Sequence, residues 1–207
     1  MISAKIVEDS ISPSGVRLVT FVLTYPRFIH SEFMTHRMFS RNASSSRAIP
    51  VKKSIQMVLD NPAIPLAFTK NKAGMQGGDP LDEQASKNAT YAWETAMGYA
   101  VKYAQMLADL DVHKQYANRI LEPFSHITVV CSATDYANFF ALRCHPMAQP
   151  EIMALADLMY EEFRTSNPKQ MEIGDMHLPF VSEEERNELP QDDLTRRWVA
   201  RCARVPN

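Results

Sequence analysis

The chain has 207 residues, the size of one large domain, and 45% hydrophobic with 22% charged residues excludes a disordered chain. Twenty-two basic against 24 acidic side chains give a formal net charge of -2, which argues against a basic nucleic-acid-binding module but leaves room for a local anion site. No stretch approaches the roughly 20 apolar residues of a membrane span, and with no secretory signal after Met1 and an odd set of cysteines (Cys131, Cys144, Cys202), a reducing cytoplasmic setting is expected.

Residues 16–23 (VRLVTFVL) are rich in branched and aromatic side chains and follow a Ser12-Pro13-Ser14-Gly15 turn signal. With Lys5-Ile6-Val7 before the turn, this predicts a β-hairpin that ends at Pro26. Residues 29–39 have helical spacing, with Ile29, Phe33, Met34 and Met38 on one face. The polar run 40–47 is expected to stay outside the core. Residues 61–82, rich in Pro and Gly, read as a loop or lid long enough to carry a function. Residues 83–110 give the clearest helix, through Ala85, Ala89, Trp93, Ala96, Ala100, Tyr103 and Leu107, with Asp82 as its cap. A second helix is expected over 114–121, ending near Pro123, then a strand over 127–131 and helices over 136–143 and 149–164. Residues 166–193 read as irregular, and 194–205 as a short helix or strand. The sum is an α+β fold: an antiparallel sheet with several helices packed on it, in one domain over 1–207.

Three constellations could carry chemistry. The first is His36-Arg37, Ser40, Asn42, the serine triplet Ser44-Ser45-Ser46, and Arg47. Arginine forks match phosphate oxygens, and serine hydroxyls and turn amides add neutral donors, so this run reads as a nucleotide-phosphate cradle. A solvated Ser/Arg loop is the plain alternative. The second is Arg119, on a helix with Lys114, Gln115 and Asn118, which alone reads as a surface arginine. The third is Asn138 to Arg143 (NFFALR). An arginine in so apolar a setting needs an anionic or polar partner, either a ligand or an ordinary ion pair. Cys144 and His145 are adjacent, but neighbours on a helix point about 100° apart, so they form no nucleophilic dyad and Cys144 is read as a packing residue. The six histidines include no His-x-x-x-His pair and no zinc site is expected. No Gly-x-Gly-x-x-Gly or Walker loop is present.

Residues 35–47 (THRMFSRNASSSR) resemble the signature of the flavin-dependent thymidylate synthases, which reads Arg-His-Arg-x-x-Ser-x-Asn-Glu-x-Ser-x-Arg-Tyr. Asn118-Arg119 followed by Pro123 resembles that family's Ala-Arg-x-x-Leu-Pro element. Leu142-Arg143, then Ala148-Gln149 and Glu151-Ile152, resembles its Leu-Arg-x-x-x-x-Ala-x-x-Glu-Ile element. The three come in the family's order and cover about 17–165, leaving 166–207 as a tail. The resemblance implies an α+β fold and a homotetramer whose active sites are shared between chains. It implies bound FAD, with NADPH and methylenetetrahydrofolate as co-substrates, and methylation of dUMP at C5 to dTMP without an enzyme thiol.

Residue by residue, it implies FAD contacts at Thr35, His36, Arg37 and Asn138. It implies dUMP contacts at Glu32, at Ser44, Ser45, Ser46 and Arg47, at Arg119, and at Arg143. Arg143 is the implied catalytic residue, a fixed cation that favours the polarised pyrimidine whose C5 is nucleophilic. The chain departs from the signature at Thr35, Ala43 and Ala48, where the family has Arg, Glu and Tyr. These departures open two alternatives. One is a related C5 modification, such as hydroxymethylation, of dUMP or dCMP. The other is a non-catalytic flavin- or nucleotide-binding relative. No nucleic-acid or membrane partner is expected.

Overall fold

The computed structural model describes residues 1–74 and 76–205. The predicted hairpin is there, longer than expected: β1 (Ser3–Ile11) pairs antiparallel with β2 (Arg17–Pro26). Gly15 closes the turn at φ +83°, a left-handed conformation that glycine adopts without a Cβ penalty. A register shift between Ile6 and Glu8 changes which side chains face inward. Before it, Ala4 and Ile6 pack on the core; after it, Glu8 and Ser10 face the opposite side, where they meet Arg186 and His177.

The β2 alternation does the rest. Val19, Phe21, Leu23 and Tyr25 are fully buried in the main core, each contributing about 1.5–3 kcal/mol through burial. The intervening Thr20 lies on the other face, also buried. The sheet order is β3-β4-β2-β1-β5, with β4 (His126–Ala133) antiparallel to β2.

On the core face lie α5 (Ala137–Arg143) and α6 (Pro150–Thr165), bringing Phe139, Phe140, Ile152, Leu155 and Met159 against the sheet. A second cluster joins α2 (Val51–Asp60), α3 (Glu83–Asp109) and a 3-10 helix over Asn118–Phe124. Asp82 caps α3 as expected, accepting from the Ala85 amide at 2.8 Å. Trp93 and Ala100 face inward on α3 as expected, joined by Ala104 and Val101, while Tyr103 is exposed. The loop over 61–82 is largely irregular, with one bridge between Thr69 and Pro80; residue 75 lies outside the described residues.

Three expectations changed. The helix expected over 29–39 is only α1 (His30–Met34). The Thr35 hydroxyl donates to Glu32 O at 2.7 Å and Arg41 donates to Phe33 O at 3.0 Å, satisfying the carbonyls that a longer helix would use. The polar run beginning at residue 40 enters the sheet as β3 (Ser40–Ala43), and Ser44 is buried beside it. Its main chain finds partners on β4, so polarity did not keep it out of the structure. The helix expected over 114–121 is α4 (Lys114–Ala117) running into the 3-10 turn that contains Pro123.

The tail is also more ordered than its sequence suggested. It holds β5 (Lys169–Gln170), α7 (Glu183–Glu188) and α8 (Gln191–Ala203). It lies across the outer sheet face. There β5 pairs parallel with β1, His177 bonds Ser10 at 2.7 Å and Thr20 at 2.8 Å, and Asn42 Nδ2 donates to Cys202 O at 2.7 Å.

Candidate active site

The sequence-predicted residues fall into two groups at opposite ends of β3. The first group surrounds a cleft of about 350 Å³ between the turn after α1 and the exposed side of α5. Thr35, His36, Arg37, Asn138 and Arg143 all line it, with Phe39 and Phe139 as its apolar wall. His36 is buried, packed edge-to-face on Phe139 at 4.8 Å between centroids. Burial, then the nearby Arg143 and Arg41 charges, lowers its pKa to about 4. A neutral imidazole has one ring nitrogen free to accept, and here Nε2 accepts from Arg143 Nε at 3.0 Å. That bond fixes the guanidinium through Nε and leaves its two Nη groups for a ligand. Among the described residues, Arg37 and Asn138 make no side-chain hydrogen bond. Thr35 does not replace the lost arginine, because its hydroxyl is committed to Glu32 O.

The second group lies where β3 leaves the sheet. The Ser44 amide donates to Thr128 O at 2.8 Å, and Ser44 Oγ accepts from the Thr128 amide at 3.2 Å, which pins the serine triplet to β4. Asn118, 2% exposed, donates to Ser46 O and Ile49 O and sets the path of the turn that carries Arg47. Glu122 gathers the donors: Ser46 Oγ at 2.7 Å, Arg119 at 3.1 Å and Arg27 at 3.4 Å. Ser45 and Arg47 are exposed and make no side-chain bond among the described residues.

The two groups are not brought together within one chain. The β3 segment between them spans about 13 Å at roughly 3.3 Å per residue. Glu32 belongs to neither group as a ligand; its carboxylate accepts from Ser31 at 3.0 Å. Sequence reasoning missed Arg27, Glu122 and the Phe139 wall. Arg27 carried no motif, and the only signal for Glu122 was that it stands where the Ala-Arg-x-x-Leu-Pro element has leucine.

Nucleophilic thiol chemistry has no support in the geometry. Burial pushes the Cys131 thiol up to about 12, and burial followed by the Asp157 contact pushes Cys144 up to about 11, so neither is a thiolate near neutral pH. Among the described residues no group of His, Cys, Asp and Glu could hold a metal, and no helix is long and apolar enough to cross a membrane.

The cleft's residues suit a flavin. Phe39 and Phe139, 5% and 2% exposed, give it an apolar floor, while Arg37 and the Asn138 amide offer unpaired donors for anionic and carbonyl oxygens.

Comparison with known proteins gives a consistent family and fold. The family model described as thymidylate synthase complementing protein matches residues 10–169. No curated protein matches the chain in a sequence search. Among solved structures, the UMP/dUMP methylase PolB from Streptomyces cacaoi bound with 5-Br UMP matches with TM-score 0.65 and 18% identity, covering 79% of this chain and 88% of that one. The same methylase bound with 5-Br dUMP matches with TM-score 0.60 and 20% identity, covering 79% and 90%.

Proposed function

The chain belongs to the thymidylate synthase complementing protein family and is a thymidylate synthase-like methyltransferase, and we propose that it methylates dUMP at C5 to give dTMP. FAD, NADPH and methylenetetrahydrofolate are the companions of that reaction. The observation that carries the reading is the Arg143–His36 pair. A guanidinium locked through Nε by a neutral imidazole presents its Nη edge to one side of the cleft. Such a fixed cation, set against the pyrimidine O4 and N3, stabilises the polarised ring that makes C5 nucleophilic, with no reorganisation at the moment of reaction.

His36, Arg37, Thr35 and Asn138 would hold FAD in this cleft, and the flavin would supply the hydride that completes the methyl group. Ser44, Ser45, Ser46, Arg47 and Arg119 hold the nucleotide phosphate; Glu32, in α1, would meet the nucleotide from a different direction. Because the phosphate group and Arg143 lie at opposite ends of β3, one nucleotide reaches both only when two copies meet. A homotetramer with shared sites fits that requirement.

A second reading has its own support. Thr35 and Ala43 remove an arginine and a glutamate from the signature, and Thr35 compensates for neither. The PolB methylase acts on UMP as well as dUMP by its description. Changed base or sugar preference, or transfer of a different one-carbon group, therefore stands as the alternative. Incubation with FAD, NADPH and methylenetetrahydrofolate, with dUMP, UMP and dCMP in parallel, is read by mass spectrometry. We expect dTMP from dUMP. A product from UMP or dCMP alone selects the second reading, and no product from any of the three overturns both.

A further inference from the structure

Glu122 accepts from the groups that a phosphate would use. Its carboxylate takes the Ser46 hydroxyl at 2.7 Å and Arg119 through both oxygens at 3.1 Å, and it faces Arg27 at 3.4 Å. The donors around it are tied to the frame. Arg27 is 17% exposed at its side chain, its amide donates to Ser125 O, and its Nη2 donates to Ser44 O at 3.2 Å. Its Nε is buried with no partner. Arg27 therefore keeps a donor that Glu122 does not satisfy.

We propose that Glu122 is a resident carboxylate that competes with the nucleotide phosphate for Ser46, Arg119 and Arg27, and that binding displaces it. Carboxylate and phosphate oxygens share the same geometry toward a guanidinium fork, so the two cannot use these donors together. Glu122 is free to leave. It sits at the end of a 3-10 turn with its side chain 22% exposed, so a rotation carries its charge into water rather than stranding it. Its departure leaves Arg27 and Arg119 uncompensated, and a dianion repays that better than one carboxylate. The arrangement favours ligands that bring a full phosphate dianion and disfavours nucleosides and weaker anions. Leucine at this position, as in the family element, would leave the arginines open at rest. The inference rests on the nucleotide-phosphate reading of this end of β3.

The test uses the full chain and two variants, Glu122→Gln and Glu122→Leu. Each is titrated by calorimetry with inorganic phosphate, dUMP and deoxyuridine, after thermal melts confirm that it folds. Both variants should bind inorganic phosphate and dUMP about tenfold or more tightly than the parent, a change of about 1.4 kcal/mol, with deoxyuridine unmoved. Adding Arg119→Ala to Glu122→Leu should abolish the gain. Unchanged or weaker phosphate binding in both folded variants overturns the inference, since Glu122 then organises the arginines instead of competing for them. A phosphate gain without any preference for dUMP over deoxyuridine upholds the competing carboxylate and overturns the nucleotide reading alone.

Discussion

Arg143 uses one of its donors on His36 Nε2, and the value of that bond lies in direction more than strength. Lysine would keep the charge but lose both the planar edge and the Nε contact. Arg143→Ala and Arg143→Lys should each lower kcat by about 10²–10³, the cost typical of losing one preorganised charge donor, with the fold intact by thermal melt. Full activity in either variant removes Arg143 from its role. In the sequence Arg143 was legible, because an arginine after two phenylalanines demands a partner. The identity of that partner was not. His36 is more than a hundred positions away, and nothing in its neighbourhood announces that Phe139 will bury it. Glu122 was invisible for the opposite reason: a glutamate three residues after an arginine reads as an ordinary helical pair until Ser46 and Arg27 arrive from elsewhere.

Elements with strong local signals were readable, and those set by distant partners were not. The hairpin, α3 with its Asp82 cap, and α6 follow from turn chemistry, capping and periodicity. β3 is polar and short, and it exists because β4 offers it a ladder. The tail is the clearest case. A Ser182–Glu185 capping box starts α7, and the same Glu185 binds Arg197 and Arg201 on α8, both at 2.7 Å. Hydrogen bonding from Arg201 first, then the Ser182 amide and Arg197, lowers its pKa to about 2. A depressed carboxylate contributes above its unfolded pKa of about 4.3, and that contribution disappears as pH falls through about 2. Trp198 on α8 reports it. In a Trp93→Phe background, Trp198 emission should change as pH drops from 5 to 2, and Glu185→Gln should show the low-pH signal already at pH 5. A signal that is flat with pH, or unaffected by the substitution, removes Glu185 as the group that ties α7 to α8.

At the scale of the whole molecule, the separation of the two residue groups along β3 makes a prediction that needs no ligand geometry. Arg143→Ala and Arg119→Ala proteins, each inactive alone, should regain activity when mixed after partial dissociation and reassembly. One chain then contributes its intact Arg143 and the other its intact Arg119. With random pairing, about a quarter of the sites should carry both arginines and about a quarter of the activity should return. No recovery, in mixtures shown by mass spectrometry to exchange subunits, confines the site to a single chain. The overall α+β architecture was legible from the order of strand and helix signals. A shared site was an expectation of the family resemblance alone; the distance between the two residue groups was not legible, because spacing along β3 has meaning only once β3 is known to be a strand.

The tail touches the sheet at both sides, through β5 on the end of β1 and through the Asn42 side chain of β3. All the strands it covers are complete by Ala133, while β5 begins only at Lys169. During synthesis, at about 5–20 residues per second, the Ser10–Ile11 end of the β1 edge is therefore unpaired for seconds before β5 emerges. An unpaired edge of that kind is a template for other nascent chains.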